Sequence, residues 1–310
     1  MDSPAPSLPP ATLPWPDLLA GAASSTRSLV AAHSRHFLAL SLLLLLPLAL
    51  LLLALPCPFL PASASSSPAA PSVSLRSAPD PLPVPLPLLA LAAALLYLAA
   101  FAAAAASAHA GFFGRPVRLL ASLRSVPASL LRLVATAFLA SPLALLPLLP
   151  LPAPLRAALP ILGAVLLSPF WSLAGAAAVV ESAAGFGPLR RSCWLLWGAR
   201  LAALSAFLVF GAGVGVTLWG FGGVAAETYD AAAGWSAMAP VVVKAVAGTA
   251  LLVVMMLYGI VANVVLYMHC RVLHGELDGE IYNEFANMYV FLPFDDGKDR
   301  HVVSVVTVWP

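Results

Sequence analysis

The chain has 310 residues, of which 61% are apolar and 9% charged, with a formal net charge of +2 and a mean hydropathy of +0.96. Soluble domains carry about 25% charged residues, so the composition excludes an ordinary water-soluble fold and requires lipid as the solvent. The length would suit two soluble domains, but most of the chain is too apolar for that division. The expectation is an all-α, polytopic membrane protein: a cytosolic segment at 1–36, a membrane domain at 37–270 and a cytosolic tail at 271–310.

Near the N-terminus, Trp15-Pro16-Asp17-Leu18-Leu19 opens a stretch that runs through Arg27 to Arg35. Proline and an acidic residue mark a helix start, here of a helix lying in the membrane plane. The apolar run at 37–55 follows 36 residues and ends in Pro56-Cys57-Pro58, too late and too long for a secretory signal core. It is read as an uncleaved anchor, with an organellar transit peptide as the weaker alternative because Asp2 and Asp17 accompany only two arginines.

A helix needs about 20 apolar residues to cross the hydrocarbon. Six stretches qualify: 37–55, 86–108, 128–149, 157–180, 201–223 and 241–268. Between the first two, residues 56–87 hold ten prolines and seven serines and are expected to form a non-cytosolic loop (56–85) without regular structure. Pro142, Pro147, Pro150, Pro152 and Pro154 crowd the junction of the third and fourth stretches. A re-entrant pair is the alternative there, but packed neighbours satisfy proline-freed carbonyls, and both are read as crossings.

Twelve of the fifteen Lys and Arg residues then fall on one side of the membrane. Arg27 and Arg35 precede the first span; Arg115, Arg118, Arg124 and Arg132 accompany the second connection; Arg190, Arg191 and Arg200 fill the fourth; Arg271, Lys298 and Arg300 follow the last. Arg76, Arg156 and Lys244 stand opposite. Cationic residues near span ends stay cytosolic, which places both termini in the cytosol, in the plasma membrane or an endomembrane.

Two of these cationic connections read Phe113-Gly114-Arg115-Pro116-Val117-Arg118 and Phe186-Gly187-Pro188-Leu189-Arg190-Arg191. Each leads into an amphipathic pattern: Leu119, Leu120 and Leu123 against Arg115, Arg118 and Arg124, then Leu189, Cys193, Leu196 and Trp197 against Arg190, Arg191 and Arg200. Such helices lie at the headgroups, with arginines near anionic phosphates. With the segment from residue 15, the chain reads as a threefold parallel repeat, each unit an in-plane helix followed by two crossings.

The run Glu181-Ser-Ala-Ala-Gly185-Phe-Gly-Pro-Leu189-Arg-Arg191-Ser192-Cys-Trp-Leu195-Leu-Trp-Gly198 resembles the motif of a plant family of uncharacterised six-span transmembrane proteins. Gly114-Arg115-Pro116-Val117, Phe207-Leu-Val-Phe210 and Tyr267-Met-His-Cys-Arg271 also resemble it. The wider pattern is distantly similar to the membrane domain of some bacterial glycerophosphodiester phosphodiesterases. The resemblance covers roughly 37–294 and implies a fold, with no activity to carry over.

Glu181 is the acidic side chain at a span edge. It is read chiefly as structural, capping amides of the next helix and pairing with Arg190 or Arg191, and otherwise as a functional carboxylate. Gly211 and Gly215 share a face on which a neighbouring helix can approach closely, and Asn263 is expected to hydrogen-bond another helix. Cys57, Cys193 and Cys270 have no metal-like spacing. Cys270, where the last helix leaves the membrane, is at a position suited to palmitoylation, with an ordinary thiol favoured, and a metal site from His269, Cys270 and His274 is disfavoured. In the tail, Glu276, Asp278, Glu280 and Glu284 are candidates to dock on the arginine-rich in-plane helices, which crosslinking to Arg115 to Arg124 would test, and Asp295-Asp296-Gly297 is a turn signal between two strand-like runs.

No catalytic arrangement, cofactor or nucleic-acid partner is expected. The favoured reading is a membrane scaffold or lipid-organising protein whose partners are anionic cytosolic-leaflet lipids, contacted by Arg115, Arg118, Arg124, Arg190 and Arg191. The alternative is a transporter or channel for a small solute or lipid, for which the mid-depth polar groups (Thr136, Ser141, Thr249 and Asn263) are few. A glycosylation acceptor fused to either terminus is expected to stay unmodified in microsomes; modification of either would reverse the orientation.

Overall fold

A computed structural model describes residues 14–54, 72–74, 86–139, 152–197, 199–222, 228–230 and 235–277. In chain order the elements are α1 (Trp15–Ala32), α2 (Ser34–Ala54), β1 (Ser72–Ser74), α3 (Leu86–Phe112), α4 (Leu119–Phe138), α5 (Ala153–Val180), α6 (Phe186–Leu195), α7 (Arg200–Phe221), β2 (Thr228–Asp230) and α8 (Trp235–Leu273). Five helices are long and apolar enough to cross a membrane: Ser34–Ala54, Leu88–Phe112, Leu119–Phe138, Arg200–Phe221 and Met238–Leu273. Val165–Val180 is a shorter apolar stretch within α5. The molecule is predominantly helical, and its long apolar helices fit a multi-pass membrane protein.

Local sequence explains several element boundaries. Pro16 sits in the first turn of α1, where its missing amide costs nothing. In α2 the Pro47 ring would strike the carbonyl four residues back, and the backbone widens into a π turn over Ser41–Leu45, the Leu46 amide reaching back to the Ser41 carbonyl. Pro127 lies inside α4 without ending it. The amphipathic start at Leu119 and the third crossing are therefore one continuous helix, which corrects the expectation of a separate in-plane segment before residue 128. Neighbouring helices tolerate a proline's freed carbonyl in a bundle. By contrast, α1 and α6 are separate from the spans that follow them.

The loop expected to lack regular structure also needs correction. Ser72–Ser74 pairs antiparallel with Thr228–Asp230, with Val73 opposite Tyr229. The connections α2–α3 and α7–α8 therefore meet at one end of the bundle.

The opposite end collects the cationic segments. His36 of α2 bonds Ser107 near the end of α3 at 2.9 Å, and Ser107 bonds Ser122 near the start of α4 at 2.9 Å. A side chain at Gly111 would meet Leu29 and His33, and Phe112 lies against His269 near the end of α8. Gly175 of α5 approaches both Phe101 of α3 and Leu133 of α4, so α3 and α4 run antiparallel beside it.

The core gathers around α8, which touches α1, α2, α3, α5, α6 and α7. Its buried face includes Leu252, Ile260, Val261, Val264, Val265, Tyr267 and Met268, packed on the small surfaces of Ala102–Ala105 in α3 and Ala176–Ala178 in α5. Lipid offers no hydrophobic drive between helices, so close van der Waals packing of small residues must hold them together.

Glycine is used at close approaches, but not where the sequence pattern pointed. A Cβ at Gly215 meets nothing within 4 Å, and one at Gly211 meets only Phe207 of its own helix at 3.8 Å. The facing glycine of α7 is Gly213, where an added Cβ would lie 3.0 Å from Met255 Sδ, and on α8 Gly248 would place a Cβ 2.6 Å from that of Phe221. The four-residue spacing identified a face of α7 correctly as a face, but α8 packs on a different one. Gly248→Ala is expected to destabilise the bundle by about 1–3 kcal/mol through overpacking, read as a lowered unfolding midpoint in detergent, whereas Gly215→Ala should leave it unchanged.

Candidate functional site

Two features stand out, a charged cluster at the cationic end and a cavity beneath it. The cluster begins where α5 stops. The chain reverses through Ser182 at φ 55° and Gly185 at φ 70°, a left-handed conformation natural to glycine. This turn lays α6 back along α5, with Pro188, Ser192 and Leu195 buried against it. Ser192 is fully buried and donates to the Phe170 carbonyl at 2.6 Å.

Arg191 is thereby brought over Glu181, its Nε donating to Oε1 at 2.9 Å. The other edge of the guanidinium takes Glu276 in a bidentate grip, with Nη1 donating to Oε1 at 2.8 Å and Nη2 to Oε2. Glu276 arrives there because α8 ends in a Schellman turn: Gly275 is at φ 67°, its amide bonds Val272 O at 2.9 Å, and the Glu276 amide bonds Arg271 O at 3.1 Å. Arg271, with a side chain only 7% exposed, holds its Nε 3.6 Å from Glu276 Oε2. The Tyr267 hydroxyl donates to Glu181 Oε1. Burial opposes the Arg191 charge, but the bonds to Glu276 and Glu181 outweigh it and raise its pKa above the ordinary guanidinium value.

Of the two partners expected for Glu181, the structure selects Arg191; Arg190 is exposed. The capping role is corrected, because the N-cap of α6 is Gly185 and no side chain caps it. Of the acidic segment expected to dock on the arginine-rich in-plane helices, Glu276 does so on α6, where the Schellman turn directs it to Arg191, with Arg271 of α8 beside it. Residues 278–284 and the Asp295-Asp296-Gly297 turn lie outside the described residues, as do Cys57 and Ser141. Cys270 is wholly buried on the packed face of α8, so it does not offer its thiol for palmitoylation; Cys193 is the exposed one. His269 and His274 each direct Nδ1 to a carbonyl of α8, at 2.8 Å, and no group of metal ligands converges among the described residues.

Arg115, Arg118, Arg124 and Arg190 are exposed at this end with Arg27, Arg35 and Arg200. Exposed Trp194, Trp197 and Phe186 accompany them, with Arg200 5.1 Å from the Trp197 ring centroid. Arg191 is separated from this set by its two carboxylates.

Beneath the cluster, α3, α4, α5, α7 and α8 enclose a partly open cavity of about 500 Å³. Its walls include Phe101, Trp171, Phe207, Phe210 and Met255, with Gly211 on the α7 side. Asn263 faces this space and has no hydrogen-bond partner among the described residues, which corrects its expected interhelical bond: the neighbouring helices stand back at this level. Sequence reasoning missed the cavity, Tyr267 as a Glu181 donor and the His36–Ser107–Ser122 bridge. The signal for Tyr267 was present in its placement four residues before Arg271, one turn away on the same helix.

Residues 152–291 match the family described as "Domain of unknown function (DUF8558)". Every residue of the Glu181–Arg191–Tyr267–Arg271–Glu276 cluster lies inside that match. No curated protein and no solved structure matches the chain.

Arg191→Gln is expected to cost about 1–2 kcal/mol, since it leaves Glu181 without its charged donor and Glu276 with Arg271 alone, at a partly exposed site. Arg191→Lys should recover only part of this, because an ammonium cannot span both carboxylates as a fork. A double-mutant cycle of Arg191→Gln with Glu276→Gln, followed by unfolding in detergent, should give a coupling of about 1 kcal/mol; a coupling near zero would show the contact to be incidental.

Proposed function

We propose that the protein is a non-catalytic, six-span membrane protein that organises anionic lipid at its cytosolic face, akin to the plant six-span family its motif resembles. The observation that carries this reading is the separation of charge at one end. Arg191 and Arg271 are held by carboxylates, while Arg27, Arg35, Arg118, Arg124, Arg190 and Arg200 remain exposed beside exposed tryptophans. Juxtamembrane arginines attract anionic headgroups at about 1 kcal/mol each, and tryptophan favours the same interface.

The sixth crossing is supported by α5. Its 28 residues would extend about 42 Å, and it ends at the same face where α4 begins. The collection of cationic connections at that face supports a cytosolic location for it and for both termini. A threefold repeat is supported by the first and third units, α1 with α2 and α3 and α6 with α7 and α8, while the middle unit has merged its amphipathic start into α4. A plasma membrane or endomembrane is the proposed location. The non-catalytic part of the reading rests on Glu181 and Glu276, whose oxygens already accept bonds from a guanidinium and a phenol.

The cavity favours a second reading, a transporter or channel for a small solute or lipid, which flux across proteoliposomes would test. For the lipid-organising role, the full chain reconstituted in nanodiscs containing anionic and zwitterionic phospholipids should enrich the anionic species in its annulus. Replacing Arg118, Arg124 and Arg190 by Gln should reduce that enrichment by roughly fivefold per residue at low salt. Enrichment that persists unchanged in the triple variant would refute the reading.

A further inference from the structure

We infer that the bundle cavity binds a neutral membrane amphiphile, an apolar body carrying one uncharged hydrogen-bonding group that the Asn263 amide receives. This goes beyond the headgroup reading and does not depend on it. The cavity's volume of about 500 Å³ lies within the roughly 300–1,000 Å³ of small-molecule sites, which share its pattern of apolar and aromatic walls with few polar groups.

The polar groups are unequal. Ser168 and Ser172 donate to the Val165 and Pro169 carbonyls of their own helix at 2.7 and 3.1 Å. The Asn263 amide has two donors and an acceptor, none of them engaged among the described residues. An amide left unmatched inside an apolar bundle is unfavourable, and a ligand hydroxyl or carbonyl would satisfy it. Among the described residues, no Lys, Arg, His, Asp or Glu side chain lines the cavity. A charged headgroup would lose its water there without gaining a counter-charge, whereas an uncharged one loses little.

Depth gives the orientation. Asn263 lies four residues before Tyr267, about 6 Å along the helix, and Tyr267 reaches the Glu181 carboxylate at the polar boundary. Met255 lines the cavity eight residues before Asn263, about 12 Å farther from that boundary. The hydrogen-bonding group thus sits near the headgroup level, with a chamber of mainly apolar and aromatic walls, Tyr97 among them, leading inward. This is the layout of a sterol, with a hydroxyl at one end of a rigid hydrocarbon, and of a neutral glyceride, with hydroxyl and ester groups above acyl chains.

Photoreactive, clickable sterol and diacylglycerol probes, with a photoreactive fatty acid as the anionic control, would test this on the full chain in nanodiscs. Saturable crosslinking by one of the neutral probes is expected, mapped to peptides from α3, α5, α7 and α8 that carry the cavity wall and competed by the unlabelled lipid. The probe that succeeds identifies the source. Asn263→Leu should weaken capture about five- to tenfold, the loss of one hydrogen bond. Gly211→Leu, whose added Cβ meets only Phe207 at ordinary contact distance, should fill the chamber and abolish capture while the unfolding midpoint is retained. Crosslinks scattered over the lipid-facing surface, capture that does not saturate, or equal labelling by the fatty acid with no effect of Asn263→Leu would each overturn the proposal. Mapping on the unsubstituted chain decides the matter even where a variant fails to fold. Loss of this site would leave arginine-dependent lipid enrichment intact, so the two readings fail separately.

Discussion

Association of the helices rests on close packing around α8, because a bilayer removes the difference in hydrophobicity that drives helices together in water. The alanines at 102–105 and 176–178 are almost without exposed surface, and they let the larger side chains of α8 approach neighbouring backbones. Gly213, Gly248 and Gly259 do the same on the side of α7. Where this packing is tight, toward the cationic end, the core is continuous. The cavity opens between α3, α4, α5, α7 and α8.

Electrostatics at the cationic end depends on that same helix. Tyr267, Arg271 and Glu276 are placed by the last turns of α8, and Arg191 closes the set from α6. The cluster ties the start of the tail to the end of α5 and locks the re-entry of α6 along it. Its effect on the arginines is selective: Arg191 is made a structural cation, whereas Arg190, one residue away, points to the surrounding medium. A pair of adjacent arginines is thus divided between holding the fold and meeting the membrane.

The proximity of this cluster to the cavity gives the cationic end a common organisation. Charged groups lie at the boundary, one uncharged amide lies a helical turn beneath, and aromatic side chains lie below that. Phe207 and Phe210 of α7 both face the cavity.

By itself the sequence determined the multi-pass helical class, since apolar runs of membrane length with few charges have no stable alternative. It also determined the grouping of arginines, which follows from chain alternation, and that Glu181 pairs with an arginine of the next helix, which is local in the chain, while the choice of Arg191 over Arg190 came from the tertiary structure. Only the tertiary structure decided which glycines are contact points, because a spacing of four marks a face without saying which face meets a neighbour. It alone brought Glu276 to Arg191 and joined Ser72–Ser74 to Thr228–Asp230, contacts between segments far apart in the chain. It also left Asn263 without a hydrogen-bond partner among the described residues. Whether a polar side chain on a helix finds a bond or faces a cavity depends on how far its neighbours stand away, and that distance is set by packing across the whole bundle.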